Sequence, residues 1–257
     1  MAHEHDRFHP PTSDDPYWTE TCWFTFAVPE RRLSGQLYPF FRPNQGITSG
    51  GAFFWDDSSG DLHSCRYARN FWHLPLSPEA DLADLELPNG IRYKCLEDLQ
   101  RYEIHYADPD DPEDLTVDLV FEGICPPNLL GGGHLDQPGR YTGTIVLDGE
   151  TIPVDAYGFR DRSWGVRSQF GNTISGAKHG GYSYATASDQ DAFHAITMGF
   201  EGDTLLPIHG YLLRDGEYST LVPGKGAREV TERNREGIPC LLYTSDAADD
   251  RYKVWWW

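Results

Sequence analysis

Leu115 to Gly123 reads LTVDLVFEG. Leu115, Val117, Leu119 and Phe121 recur at every second position, with Thr116, Asp118 and Glu122 among the residues between them. Successive side chains of a β-strand point to opposite faces, so the stretch predicts a strand buried on one face and wet on the other. Outward from it, a period close to two returns in almost every segment, and short turn signals part the segments. LPNG precedes IRYKCLE, DPDDPED lies between RYEIHYA and LTVDLVF, LDGE between YTGTIV and TIPVDAY, and RDGE between HGYLL and YSTLV. Asn-Gly and Asp-Gly adopt the positive φ that tight hairpins require. No segment keeps a 3.6-residue apolar stripe beyond about two turns. The best helix candidate, SPEADLADLE, opens with Ser77 as a cap but runs straight into LPNG. An all-β, antiparallel fold with little helix is expected.

The chain has 257 residues, room for one large β domain or two small ones, each with a real core. The strongest break is PPNLLGGGHLDQPG, from Pro126 to Gly139, dense in residues that end strands. It predicts one β domain over residues 1–128 and a second, incomplete one over 129–239. The formal charge of −19 repels nucleic-acid phosphates and acidic membrane surfaces. The start, MAHEHDRFHPPTSDD, has no apolar leader core, and no window approaches the roughly 18 apolar residues of a membrane span. A cytoplasmic protein without nucleic-acid partner or membrane span is expected. Cys22, Cys65, Cys95, Cys125 and Cys240 are odd in number and never spaced CxxC, which predicts buried thiols.

The last eighteen residues, CLLYTSDAADDRYKVWWW, break with everything before them. CLLYTS is what TGT CTC TTA TAC ACA TCT encodes, which resembles a transposon-end sequencing adapter, and DAAD continues the adapter's next bases. Residues 240–257 are therefore expected to be adapter read-through. The alternative is a native strand, since CLLYTS alternates passably.

YGFRDRSWGVR, from Tyr157 to Arg167, carries three arginines and an aspartate where its flanks look like ordinary strand. If Val154 to Trp164 is one strand, Tyr157, Phe159, Asp161 and Ser163 share one face, and Gly158, Arg160, Arg162 and Trp164 the other. The two arginines then point away from Asp161 and can stack on Trp164 or bind carboxylates. Asp161 faces aromatic residues, where desolvation raises a carboxyl's pKa and suits it to act as a general acid. Alternatively Asp161 is an ionised structural partner of Arg167 or of backbone N–H groups. Ser163 is not in a nucleophile-elbow motif and no histidine is evident as its base. His3, His5 and His9 suggest a metal tract, yet without further ligands they read as a solvated arm, so no metal is expected. The glycine-rich GGAFFWDDSSG and GGGH lack a phosphate-cradling arrangement, and no cofactor is expected. The aromatic content of 14% exceeds what a modest core needs and can line a cavity for an apolar ligand.

WTETCWFTF, RPNQG, LPNG, FEGICPP, HLDQPGRYTGTIVLDGE, GFRDRSWGVR and FHAITMGF together resemble an uncharacterised bacterial family of tandem lipocalin-like domains. More distantly the chain resembles carotenoid 1,2-hydratase (hydroxyneurosporene synthase) and AttH-like proteins. The resemblance to the first family spans nearly all of residues 14 to 239, and RDRSWG is its most specific element; the hydratase resemblance rests on little else. It implies two packed β-barrels and an acid-bearing strand facing a pocket for isoprenoid-, steroid- or polyketide-like molecules. The hydratase motif's aspartate, a proton donor to an alkene, matches Asp161. Where those enzymes often carry Tyr two residues earlier, this chain has Phe159, which removes a hydroxyl that could orient water. The expected function is binding of a hydrophobic small molecule, with cofactor-free hydration or cyclisation through Asp161. Tyr157, Phe159, Arg160, Arg162, Trp164, Arg167, Asp136 and Gln137 are the expected binding residues. The alternative is a non-catalytic carrier in which RDRSWG is a structural clasp.

Overall fold

The computed structural model describes residues 3–58, 64–167, 179–200, 204–233 and 239–245, with backbone alone for His179 and residues 227–245. Among them the chain is nearly all β, with single 3-10 turns at Glu4–Asp6, Pro29–Arg31 and Pro43–Gln45. It divides into two compact units, Met1–Gln169 with Thr186–Asp189, and Phe170–Ala185 with Gln190–Trp257.

The first unit holds β1 (Trp18–Val28), β2 (Leu33–Arg42), β3 (Ile47–Trp55), β4 (Tyr67–Pro75), β5 (Asp84–Glu86) and β6 (Ile91–Glu97). It continues with β7 (Arg101–Ala107), β8 (Leu115–Gly123), β9 (Asn128–Leu130), β10 (His134–Leu147) and β11 (Glu150–Val166). These form one curled antiparallel sheet in the order β4-β3-β2-β1-β11-β10-β8-β7-β6-β5, with β9 beside β10. The second unit holds β12 (His179–Thr186), β13 (Ala192–Gly199), β14 (Thr204–Arg214), β15 (Glu217–Thr220), β16 (Ala227–Arg233) and β17 (Pro239–Ser245). Its order is β12-β13-β14-β16-β17, with β15 on β14.

The strand that opened the reading behaves as its pattern dictates. Along β8 the apolar positions are buried, and the positions between them are exposed or half-buried. The Asp-Gly turns have positive φ at both central residues, 51° and 74° at Asp148–Gly149 and 51° and 79° at Asp215–Gly216. That conformation matches the twist of the flanking strands and fixes their register. Inside the curl, Phe24, Phe41, Phe54, Ile104, Phe121 and Tyr141 anchor one continuous core. Gly158 keeps β11 close to β1: a Cβ there would lie 2.1 Å from the Thr25 carbonyl oxygen.

Four expectations meet a different structure. The break at Pro126–Gly139 is not where the compact units part, because β9 and β10 fold back beside β8 and continue the same sheet. Its glycines and prolines serve a tight reversal. The helix candidate at residues 77–86 is turn and short strand instead. Ser77 Oγ and Asp81 Oδ1 accept the N–H groups of Glu79 and Ala83, local bonds that compete with helix, and β5 pairs with β6. Of the described thiols only Cys22 and Cys125 are buried, while Cys65 and Cys95 are half-buried. The histidine-rich arm is solvated only in part: His3 is exposed, but Asp6 is buried and His5 and His9 are half-buried, held by the arginines of β11.

No helix among the described residues is long and apolar enough to cross a membrane. Pro239–Ser245 pairs with β16, with register shifts at Val230/Glu232 and Glu232/Arg233, and residues 246–257 lie outside the described residues. If the tail is adapter-derived, deleting Cys240–Trp257 leaves the melting temperature unchanged or raises it. A clear fall in a thermal melt would mean that β17 is a native strand.

Candidate functional site

β11 organises the site through parity. Its residues pair with β1 on one side (Trp23 opposite Asp161, Thr21 opposite Ser163) and with β10 on the other (Asp136 opposite Asp161, His134 opposite Ser163). Directly opposed residues share a face. Tyr157, Phe159, Asp161 and Ser163 therefore lie on the outer face with His134, Asp136, Thr21 and Trp23. Arg160, Arg162 and Trp164 lie on the face that carries the core.

On the outer face His134 is the hub. Its Nδ1 is 2.8 Å from Ser163 Oγ, and its Nε2 is 3.0 Å from Asp136 Oδ2 and 3.7 Å from Asp161 Oδ2. The side chains of Asp136 and Asp161 are 0% and 9% exposed, and that of His134 13%. Both carboxylates thus border the same imidazole nitrogen, away from water. Burial pulls the His134 pKa down, but the hydrogen bond to Asp136 and the charges of Asp161 and Asp136 outweigh it, and the net shift is upward. When protonated, the ring donates from both nitrogens, to Ser163 Oγ and to the Asp136 carboxylate. A raised histidine pKa favours folding in full below the ordinary value of about 6.5, and the gain is lost as pH rises through the folded value. His134→Asn should remove that segment of the stability–pH curve, as read by denaturant melts between pH 5 and 9. The three donor atoms of His134, Asp136 and Asp161 lie within 4.8 Å of one another, a spacing a divalent cation can also use.

Around the cluster the face is aromatic. Trp23 meets Phe159 edge-on at 6.2 Å and Tyr38 at 5.8 Å, and Phe40 meets Trp72 at 6.1 Å. Burial raises the Tyr38 phenol, with Asp161 adding to the effect, so Tyr38 stays neutral; the charge of Arg167 acts on both Tyr38 and His134 in the opposite sense.

The core-side face is a web of charge. Arg160 and Arg162 are 1% and 0% exposed. Arg160 Nη2 donates to Asp6 Oδ1 at 3.0 Å and Nη1 to the Tyr102 hydroxyl at 2.7 Å, and the guanidinium lies 4.0 Å from the Tyr102 ring centre. Arg162 Nη2 donates to Glu20 Oε2 at 2.7 Å, and its Nη1 donates to the His5 carbonyl. Trp164 stacks on His9 at 3.8 Å, and Arg162 lies 5.8 Å from its ring. Gln137 belongs here too, accepting from Arg160 at 3.3 Å and donating to the carbonyls of Leu99 and Cys125.

Of the expected residues, then, Asp161, Asp136 and Phe159 come together, and Arg167 acts on the same groups. Tyr157, on the same face, bonds Asp189 at 3.1 Å instead. Arg160, Arg162, Trp164 and Gln137 look the other way. The sequence sets Ser163 aside for want of a nearby histidine, and the structure supplies one in His134. The HxD spacing of His134 and Asp136 was the available signal, because in a strand it places both side chains on one face.

No curated protein matches the sequence. Among solved structures, a protein assigned as AttH from Nitrosomonas europaea is similar at a TM-score of 0.55 and 16% identity, over 91% of this chain and 78% of that one. Kievitone hydratase from Nectria haematococca is similar at a TM-score of 0.50 and 12% identity, over 92% of this chain and 78% of that one. Both show the same lipocalin-like, AttH-type fold. Residues 2–234 match the domain of unknown function DUF7064, and the chain belongs to that family.

Proposed function

We propose that this protein binds an apolar small molecule of isoprenoid, steroid or polyketide type on the outer face of β11 and performs cofactor-free acid–base chemistry on it. The observation that carries this reading is the dry His134–Asp136–Asp161 cluster beside Trp23, Tyr38 and Phe159. Likeness in fold to kievitone hydratase supports it. Asp161, the member opposite Trp23, delivers a proton to an alkene carbon while the π electrons form the new C–H bond. Water then adds to the resulting carbocation, and its surplus proton returns to the carboxylate. In a cyclisation a second double bond attacks the cation instead, and loss of a neighbouring C–H proton returns the acid. His134 relays the proton, and Ser163 and Asp136 fix the ring between them. Aromatic faces stabilise the passing cation.

A second reading is favoured by the buried arginines. Arg160 and Arg162 spend their hydrogen bonds on the N-terminal arm and β1, as a structural clasp in a non-catalytic carrier would. Incubation with kievitone, linear terpenoids, steroids and prenylated aromatics, followed by mass spectrometry, separates the two. A hydrated or cyclised product that His134→Asn abolishes supports the enzyme. Saturable tryptophan quenching with unchanged compounds supports the carrier.

A further inference from the structure

On the core-side face, independent of the acid–base cluster, the N-terminal arm occupies its anchorage as a ligand would. Asp6 is buried, and its carboxylate collects Arg160 Nη2 at 3.0 Å, the Tyr102 hydroxyl at 2.5 Å and the Leu99 N–H at 2.8 Å. Cys95 Sγ approaches at 3.7 Å. Two residues on, Phe8 packs edge-on against Phe41 of the core at 4.8 Å. One short segment thus presents a carboxylate and an apolar body together to the aromatic interior of the curl.

The fit is incomplete. Among the described residues, the buried Nε–H groups of Arg160 and Arg162 have no acceptor. A guanidinium binds a carboxylate best through two parallel N–H bonds, and Asp6, tethered to the chain, reaches Arg160 through a single nitrogen. A free carboxylate can approach in the forked geometry and satisfy the nitrogen that Asp6 leaves open.

We propose that Arg160, Tyr102 and the Leu99 N–H form a binding site for the carboxylate of an apolar carboxylic acid, which Asp6 and Phe8 fill as a built-in competitor. The acid displaces residues 3–9, its carboxylate replaces Asp6, and its hydrocarbon replaces Phe8 against Phe41. The exchange swaps one anion for another, so the buried charge of Arg160 stays neutralised throughout. Arg162 keeps Glu20 when the arm leaves.

The test is chemical rescue. Asp6→Ala leaves the cradle without its anion, and acetate should raise its melting temperature saturably, above chloride at equal ionic strength. Asp6→Ala with Arg160→Met should show no rescue. If Asp6→Ala does not fold alone, refolding yield in acetate against chloride reads the same interaction. The apolar requirement is tested with 11-(dansylamino)undecanoic acid on the full chain, where Asp6→Asn should bind at least about tenfold more tightly than the parent, a difference of about 1.4 kcal/mol. The matching dansylated alcohol should gain nothing. Acetate no better than chloride, rescue that survives Arg160→Met, or an equal gain for the alcohol would each overturn the proposal.

Discussion

Glu20→Met is expected to destabilise the protein by about 3–5 kcal/mol, because it strips the carboxylate from an arginine that has no access to water. The side chains of Arg162 and Glu20 are 0% and 1% exposed and meet at 2.7 Å. Glu20 also accepts the His9 N–H at 2.6 Å, so its loss loosens the arm as well. Removing one partner of a buried pair costs far more than the pair itself contributes. Glu20→Met with Arg162→Met should therefore recover most of the loss, since two apolar side chains of similar length fill the same volume. Urea melts of the four members of this cycle measure both effects. A single-mutant loss below about 1 kcal/mol, the range of exposed ion pairs, would mean that water reaches the pair.

The second large effect falls on activity. Asp161→Asn keeps the shape of the side chain and removes the transferable proton. Turnover should drop by about 10²–10⁴-fold, the usual contribution of a positioned acid or base, while stability holds or rises. A structural clasp makes the opposite forecast. If Asp161 serves to neutralise a buried cation, the same change lowers stability by about 3–5 kcal/mol and leaves ligand affinity unchanged. Thermal melts and ligand titrations on parent and variant tell the two apart.

The β class of the fold was legible because each strand reports its own periodicity: LTVDLVFEG needs no partner to reveal which residues it buries. The Asp-Gly hairpins were legible for the same reason, since the turn is dictated by two adjacent residues. The extent of the sheet was not. The β8–β9–β10 reversal and a domain linker draw on the same glycines and prolines, and only pairing of Gly139 with Gly123 and of Leu147 with Leu115 distinguishes them. In the site, the sequence separated Asp161 from its flanking arginines by parity alone. It could not bring His134 to Ser163 across 29 residues, because that needs the β10–β11 register, set at the distant Asp148–Gly149 turn. The burial of the arm is hidden for a related cause. His3, His5 and His9 look solvated in isolation, and what buries Asp6 is a cation 154 residues away.

Proton delivery by Asp161 is measured most directly in deuterium oxide. The parent, supplied with the same terpenoids, steroids and prenylated aromatics, should form a hydrated or cyclised product carrying one new carbon-bound deuteron. Asp161→Asn should bind the same compound and form no labelled product. Undiminished deuteron transfer by Asp161→Asn, or binding by the parent with no product from any of these compounds, would contradict Asp161 as the acid.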